Sequence, residues 1–248
     1  MPDILIANEG PVLKIRMNRP EKKNALTLVM YEAMAAAIEN AGKDASVRCL
    51  LIAGAPEVFC AGNDFNDFVA MAQGGTLGAP IVRFLHALAR CEKPLVAAVS
   101  GAAVGIGTTM LLHCDHVIAS DNAMLHTPFV SLGLLPEAGS SLIAPRLMGH
   151  ARAFSLLVMG KPLSAEEAKA AGIVNKVVPA AELEAKALAA AGEIAALPPE
   201  GVMTSRRLMR GSVDGIVARI DEEVEAFRTR LTSPEAMAAF AAFLNRKK

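Results

Sequence analysis

The amino-acid sequence predicts an α/β fold with mainly parallel strands, followed by a helical C-terminal region. Up to about residue 180, short apolar runs rich in β-branched residues alternate with longer segments of helical periodicity. After Pro179, every periodic segment is typical of a helix. With 53% apolar residues in a chain of 248, a sizeable core is available and general disorder is excluded.

Turn and cap residues place the elements of the first half of the chain. Strands are expected at 4–17 (one or two strands, with a turn at 8–11), 48–53 and 96–99. Helices are expected at 28–42, with Thr27 as the cap, and at 65–72, with Asp64 in the capping position.

The second half continues the alternation and then becomes helical. Strands are expected at 116–119, 123–126 and 173–178. Helices are expected at 106–112, 142–148, 151–159, 164–172, 182–196, 201–210, 213–230 and 234–244. Between them, residues 128–141 form a long turn rich in glycine and proline.

Composition excludes several classes of partner. Lys and Arg (25) balance Asp and Glu (25), so no net charge favours nucleic acid or an anionic membrane. No uncharged apolar run reaches the roughly 18 residues of a membrane span, and no secretory signal opens the chain. The four cysteines are widely separated, which is typical of reduced thiols rather than of disulfides or a zinc site. We expect a cytoplasmic protein with no metal, nucleic-acid or membrane partner.

Three glycines follow the apolar strand at 96–99 and precede an apolar helical segment. Gly101, Gly105 and Gly107 match neither the dinucleotide fingerprint nor a P-loop. Glycine lets the backbone approach a ligand closely, and a helix that begins near Ile106 has unpaired N–H groups at its start. The run therefore indicates either a site for an anion or oxyanion on backbone amides or a purely structural tight turn.

Glu137 is the carboxylate of most interest. It lies between Pro136 and Ala138, just downstream of an apolar stretch that contains Leu132, Leu134 and Leu135. Near a helix N-terminus it would gain stability from the helix dipole, which is a structural role. Surrounded by those apolar neighbours, it would instead have a raised pKa and serve as a base.

Several motifs together resemble the crotonase (enoyl-CoA hydratase/isomerase) superfamily. The resemblance runs in the family's order from about residue 4 to the C-terminus. The motifs lie at 18–26 (NRPEKKNAL), 59–64 (FCAGND), 101–107 (GAAVGIG), 114–115 (CD) and 160–165 (GKPLSA).

This resemblance implies a fold, a quaternary structure and a substrate class. The fold would be a spiral of ββα turns, with a core over 1–195 and a helical oligomerisation region over 196–248 that forms a homotrimer or a dimer of trimers. The substrate would be an acyl-CoA thioester, so that coenzyme A belongs to the substrate and no separate cofactor is needed.

By motif position, the resemblance also implies the site residues. The backbone N–H groups of Asn63 and Ile106 would form an oxyanion hole. The residues expected to contact the substrate or its CoA moiety are Lys23, Ala25, Leu26, Ala61, Asp64, Phe65, Gly105 and Phe129. Thr109 would belong to the pocket wall together with Phe129.

The carboxylates separate the possible reactions. Hydratases of the family look to carry two glutamates, at positions where this chain has Thr109 and Phe129. Glu137 alone remains, as in peroxisomal-type Δ3-Δ2-enoyl-CoA isomerases, which the chain also resembles at 61–64 and 127–129. We therefore expect an isomerase with Glu137 as the catalytic residue. The alternatives are a hydratase or another crotonase reaction such as hydrolysis, and a non-catalytic acyl-CoA-binding member. The last residues lack the Ser-Lys-Leu peroxisomal address, which favours a bacterial or cytosolic location.

Overall fold

The computed structural model describes residues 2–74 and 77–245. Residues 246–248, which contribute to the expectation about targeting, lie outside these ranges.

The strands in these ranges form two sheets, and most neighbours are parallel. Their bounds are β1 Ile4–Glu9, β2 Val12–Met17, β3 Cys49–Ala53, β4 Val58–Cys60, β5 Leu95–Val99, β6 Ala102–Val104, β7 His116–Ser120, β8 Met124–His126, β9 Leu163–Ser164 and β10 Lys176–Val178. One sheet has the order β1-β2-β3-β5-β7-β10, and the other has the order β4-β6-β8-β9. The antiparallel pairs are β1 with β2 and β8 with β9. The predicted α/β class with mainly parallel strands is confirmed.

Helices surround the sheets and make up the C-terminal region. Their bounds are α1 Leu28–Lys43, α2 Phe65–Gly74, α3 Ala79–Arg90, α4 Ile106–Thr109, α5 Ser140–Met148, α6 His150–Leu157, α7 Ala165–Ala170, α8 Leu183–Ala196, α9 Pro199–Arg210, α10 Val213–Leu231 and α11 Pro234–Asn245. The predicted caps are present at three helices. Thr27 Oγ1 accepts the Met30 amide, Asp64 Oδ1 accepts the Asn66 amide, and Ser164 forms a capping box with Glu167.

Three features differ from the prediction. The strand predicted at 123–126 is present as β8, but β4 and β6 of the same sheet are absent from the prediction, because they have only three residues each and show no resolvable period. Helix α3 is also absent from it, although Ile81, Phe84, Leu85 and Leu88 follow a helical spacing, since the glycine-rich stretch at 74–78 is interpreted as the flexible point before the strand at 96–99. The helix predicted from residue 106 to 112 is a single turn, α4, continued by a 3-10 turn over Met110–His113.

The C-terminal helices share the core of the sheets. Ile220 and Phe227 of α10 and Phe240 of α11 belong to the same buried cluster as Ile52 and Val99 of the first sheet. These helices therefore reach the centre of the molecule, while the division of the chain at residue 195 stays a prediction.

Within the described ranges, no helix is both long and apolar enough to cross a lipid bilayer.

Candidate active site

The candidate site lies at one edge of the second sheet. Strands β4, β6 and β8 run parallel, with Cys60 opposite Ala103 and Val104 opposite His126. Because parallel strands end at the same edge, the loops that follow them meet there, and this edge is where open α/β sheets bind ligands. The Gly105 amide donates to the His126 carbonyl at 2.8 Å, which ties two of these loops together.

A cavity of about 220 Å³ opens at this edge. Six of the eleven predicted site residues line it, namely Ala61, Asn63, Phe65, Gly105, Phe129 and Glu137. The other described lining residues are Gly62, Phe68, Val104, Pro128, Leu132, Leu134, Phe227 and Phe240. The wall is therefore almost entirely apolar around one carboxylate, as in many pockets for small organic ligands.

The two predicted oxyanion amides lie on adjacent loops. A Cβ atom at Gly62 would come within 3.2 Å of the Val104 carbonyl oxygen, so the loop before Asn63 passes very close to the strand before Gly105. Both Gly62 and Gly105 have positive φ values (94° and 56°), a conformation that suits glycine.

Local hydrogen bonding leaves these amides available. Leu26 forms a parallel bridge with Asn63. The Leu26 amide donates to the Gly62 carbonyl, and the Asp64 amide donates to the Leu26 carbonyl, at 2.8 Å each. The Asn63 N–H therefore points away from this bridge. Ile106 is the first residue of α4, where an N–H has no acceptor within the helix. Among residues 2–74 and 77–245, neither amide has a hydrogen-bond acceptor.

Glu137 is a buried carboxyl group, only 8% exposed. Burial raises its pKa from the ordinary 4.5 to about 8. A hydrogen bond from Thr109 acts in the opposite direction and lowers the pKa, whereas the negative charge of Glu223 adds a smaller increase. The Thr109 hydroxyl donates to Glu137 Oε1. The structure thus assigns Thr109, which was expected only as pocket wall, a direct contact with the predicted catalytic residue.

The side chain of Asn63 is held by a buried tyrosine that sequence reasoning missed. Tyr31 in α1 donates its hydroxyl to Asn63 Oδ1 at 2.6 Å, and its ring packs edge-on against Phe84 with centroids 5.4 Å apart. Burial, followed by the proximity of Glu137 and Cys60, raises the pKa of Tyr31 well above its usual value, so the hydroxyl keeps its proton. The available signal was that the chain's only tyrosine stands in the apolar stripe of α1.

The turn that carries Glu137 is held by two further residues that the sequence did not single out for this role. His113 Nε2 donates to the Ala138 carbonyl at 2.7 Å, and burial lowers the pKa of this histidine to about 4, which keeps it neutral. Glu223 of α10 accepts the amides of Gly139 and Ser141. No periodicity or short motif links residues this far apart in the chain.

The remaining predicted substrate residues lie beside the cavity rather than in its wall. The Lys23 side chain is exposed, and the Lys23 carbonyl accepts the Ala61 amide at 2.9 Å. The Arg19 guanidinium donates to the Ala25 carbonyl at 3.0 Å and to Asp64 Oδ2 at 2.7 Å, and so links these two residues. Leu26 and Ile106 point their side chains into the core. The roles of these residues toward coenzyme A stay predictions.

No group of three or more His, Cys, Asp or Glu side chains converges as a metal site within residues 2–74 and 77–245.

Comparison with known proteins identifies the family. A family model described as enoyl-CoA hydratase/isomerase matches residues 7–248. Enoyl-CoA delta isomerase 2 of Rattus norvegicus is 39% identical over 98% of this chain, which spans only 64% of that protein's length. The 1,2-epoxyphenylacetyl-CoA isomerase of Escherichia coli is 33% identical over 98% of this chain and 96% of its own.

A solved structure extends this similarity to the whole fold. OdaA of Pseudomonas aeruginosa is 44% identical and matches with a TM-score of 0.94, over 99% of this chain and 100% of that one. The crotonase-like α/β core that the motifs implied is confirmed.

The burial of Glu137 predicts a stability change that does not depend on any catalytic role. Because folding raises its pKa from 4.5 to about 8, the folded state binds this proton more tightly, and Glu137 lowers stability increasingly as pH rises through that range. Glu137→Gln does not titrate. We expect it to be more stable than the wild type by about 2 kcal/mol or more at pH 8, with the difference vanishing near pH 4.

Urea unfolding at several pH values measures this difference. Glu225→Gln removes an exposed carboxylate and is the matched control, for which no such trend is expected. A Glu137→Gln variant equal to the wild type at every pH would show that Glu137 is not a buried charge.

Proposed function

The chain belongs to the enoyl-CoA hydratase/isomerase family, and from this membership we propose that it is an isomerase that moves a double bond from C3 to C2 of an enoyl-CoA. The observation that carries the proposal is the isolation of Glu137. Among the described residues that line the cavity, it is the only acidic side chain.

A single carboxylate favours isomerisation over hydration. Hydratases of the crotonase family look to use two glutamates to add water, and this chain has Thr109 and Phe129 at those positions. Phe129 is buried in the cavity wall, where it presents an apolar ring in place of a group that would orient water. Moving a double bond needs only a proton transfer between two carbons of one substrate, and one base that reaches both is sufficient.

The proposed reaction has two proton transfers. Ionised Glu137 takes a proton from C2 of the 3-enoyl thioester, the C2 electron pair delocalises, and a dienolate forms with negative charge on the thioester oxygen. Protonated Glu137 then gives that proton to C4, which leaves the double bond between C2 and C3. The raised pKa of Glu137 suits this exchange, because the base must both accept and release a proton near neutral pH.

The backbone amides of Asn63 and Ile106 would bind the oxygen on which charge develops. Such donors act most strongly on the intermediate, and loss of one typically costs about 3 kcal/mol of barrier. Tyr31, through its bond to the Asn63 side chain, would hold one of the two amides in position.

Thr109 has a partner for either protonation state of Glu137. Its Oγ1 lies within hydrogen-bond distance of Glu137 Oε1 and 3.3 Å from the Gly105 carbonyl oxygen. It donates to Oε1 in either state, because a proton taken from the substrate resides on the other carboxyl oxygen, and the Gly105 carbonyl oxygen is its second acceptor. The change of charge during the reaction therefore leaves no buried hydroxyl unpaired.

The acyl end of the cavity is formed by aromatic rings. Phe68 packs edge-on against Phe227 and Phe240, with centroids 6.0 and 5.6 Å apart. These rings close the cavity with side chains from α10 and α11. The cavity volume of about 220 Å³ favours short acyl chains. We also propose that the protein forms a homotrimer or a dimer of trimers. Leu208 and Met209 of α9 are exposed apolar side chains that could pack against a neighbouring subunit in such an assembly.

Substrate conversion tests the proposed reaction. The protein should rapidly convert a 3-enoyl-CoA into the 2-enoyl-CoA, with little 3-hydroxyacyl product, as followed by chromatography and mass spectrometry. Glu137→Gln should lower kcat by about 10³-fold, because the base is lost, and still bind acyl-CoA; Glu225→Gln is the control. Prompt water addition to a 2-enoyl-CoA would instead support a hydratase. Acyl-CoA binding without conversion of either thioester would support a non-catalytic binding protein.

Phe240 is expected to limit acyl-chain length. Phe240→Ala removes a ring from the closed end of the cavity, so kcat/KM for a longer 3-enoyl-CoA should rise about tenfold relative to that for the shortest substrate, since one or two methylenes in an apolar pocket have effects of this size. Met237→Ala changes an exposed residue of the same helix and should leave the ratio unchanged. An unchanged ratio in Phe240→Ala would show that the acyl chain does not reach α11.

A further inference from the structure

We propose that Glu223 is a positioning residue, whose carboxylate in α10 holds the turn that presents Glu137 to the substrate. The inference deepens the proposed function and rests on it in one respect, the catalytic role of Glu137.

Three hydrogen bonds join Glu223 to this turn. Its Oε2 accepts the Gly139 amide at 2.6 Å, and its Oε1 accepts the Ser141 amide at 3.0 Å and the Ser141 hydroxyl at 2.5 Å. Glu223 is only 7% exposed, and hydrogen bonds from backbone amides to a buried carboxylate are among the stronger ones in proteins.

The turn needs an external acceptor because of its local sequence. Helix α5 begins at Ser140, and its N-cap is Gly139, which has no side chain with which to cap the helix. The first amides of a helix lack intrahelical acceptors and carry partial positive charge. Glu223 supplies the missing cap from a helix more than 80 positions away in the chain.

The turn also adopts a backbone conformation that is unfavourable on its own. Ala138, the residue after Glu137, has φ of 63°, where an ordinary L-residue is strained by about 1 kcal/mol or more. His113 holds the Ala138 carbonyl, and Glu223 holds the Gly139 amide directly after it. The peptide group between Ala138 and Gly139 is therefore fixed at both its polar atoms, and this fixes the direction in which Glu137 leaves the backbone.

Glu223 also affects Glu137 through its charge. The titratable groups that face Glu137 are Tyr31 from α1, Cys60 from β4 and Glu223 from α10. Burial keeps Tyr31 protonated and raises the pKa of Cys60 to about 12, so Glu223 is the one of these three whose negative charge raises the pKa of Glu137. That charge disfavours ionisation of Glu137. Burial raises the pKa of Glu223 itself, and this is opposed by its hydrogen bonds from Ser141 and Gly139 and by the positive charge of Arg219.

Two substitutions separate position from charge. Glu223→Gln keeps the size but removes the charge, and it turns an N–H group toward at least one of the turn's donors. Glu223→Asp keeps the charge but is one methylene too short to reach both amides. Glu225→Gln, which removes an exposed carboxylate from the same helix, is the control for loss of charge alone.

The kinetic expectations differ for each variant. Glu223→Gln should lower kcat tenfold or more with KM within about threefold, because small displacements of a catalytic group have effects of this size. The acid limb of its pH profile should move to lower pH. Glu223→Asp should lower kcat similarly and leave the limb in place. Glu225→Gln should change neither.

A direct readout keeps this test apart from the test of the proposed function. The pKa of the Glu137 carboxyl is measured by ¹³C NMR on protein labelled at glutamate, with the signal assigned by its loss in Glu137→Gln. A lower Glu137 pKa in Glu223→Gln than in Glu225→Gln supports the contact between the two carboxyl groups even if no enoyl-CoA is converted, and a lowered kcat in Glu223→Asp, which keeps the charge, supports the positioning role. Folded Glu223→Gln protein with the kcat, pH profile and Glu137 pKa of the Glu225→Gln control would overturn it.

Discussion

The site depends on one physical constraint, which is that a carboxyl group is buried in an apolar wall with no cationic side chain among the described residues that line the cavity. Desolvation raises the pKa of Glu137 to about 8, and the hydrogen bond from Thr109 only partly opposes it. An isolated buried charge is unfavourable, and neighbouring structure must hold the group in place to prevent the site from relaxing. The same desolvation of the Glu137 carboxylate allows it to accept and release a proton near neutral pH. The loss of folding stability and the proposed proton transfer therefore have one physical origin.

Three parts of the chain cooperate to maintain this arrangement. The short parallel strands β4, β6 and β8 bring two glycine-containing loops together, so that Gly62, just before Asn63, lies close to the Val104 carbonyl, just before Gly105. The turn after Pro136 projects Glu137 into the same cavity, and α10 with α11 closes the cavity with Phe227 and Phe240. Helices α10 and α11 are therefore part of the cavity wall.

Sequence reasoning found the polar centre of the site because its elements are local. A carboxylate after a Leu-rich stretch and glycines at a strand–helix junction are visible as patterns over a few residues, and the family resemblance assigned them to one reaction class. Strands β4 and β6 and helix α3 were not predicted, because three-residue strands show no period and because the glycine-rich stretch at 74–78 is interpreted as a flexible segment. The contacts that hold the site are made between distant segments and depend on the packed fold, so local spacing does not reveal the partners of Tyr31, Thr109, His113 and Glu223.

The most direct test of the central claim follows the proton itself. A 3-enoyl-CoA with deuterium in place of both C2 hydrogens is converted in ordinary water, and the earliest product is analysed by mass spectrometry and NMR. If one water-excluded carboxylate moves the proton, a substantial fraction of the product will carry deuterium at C4 and keep the full mass of the substrate. A product with only solvent hydrogen at C4 from the earliest time, or one that has gained water, would contradict transfer by a single buried Glu137.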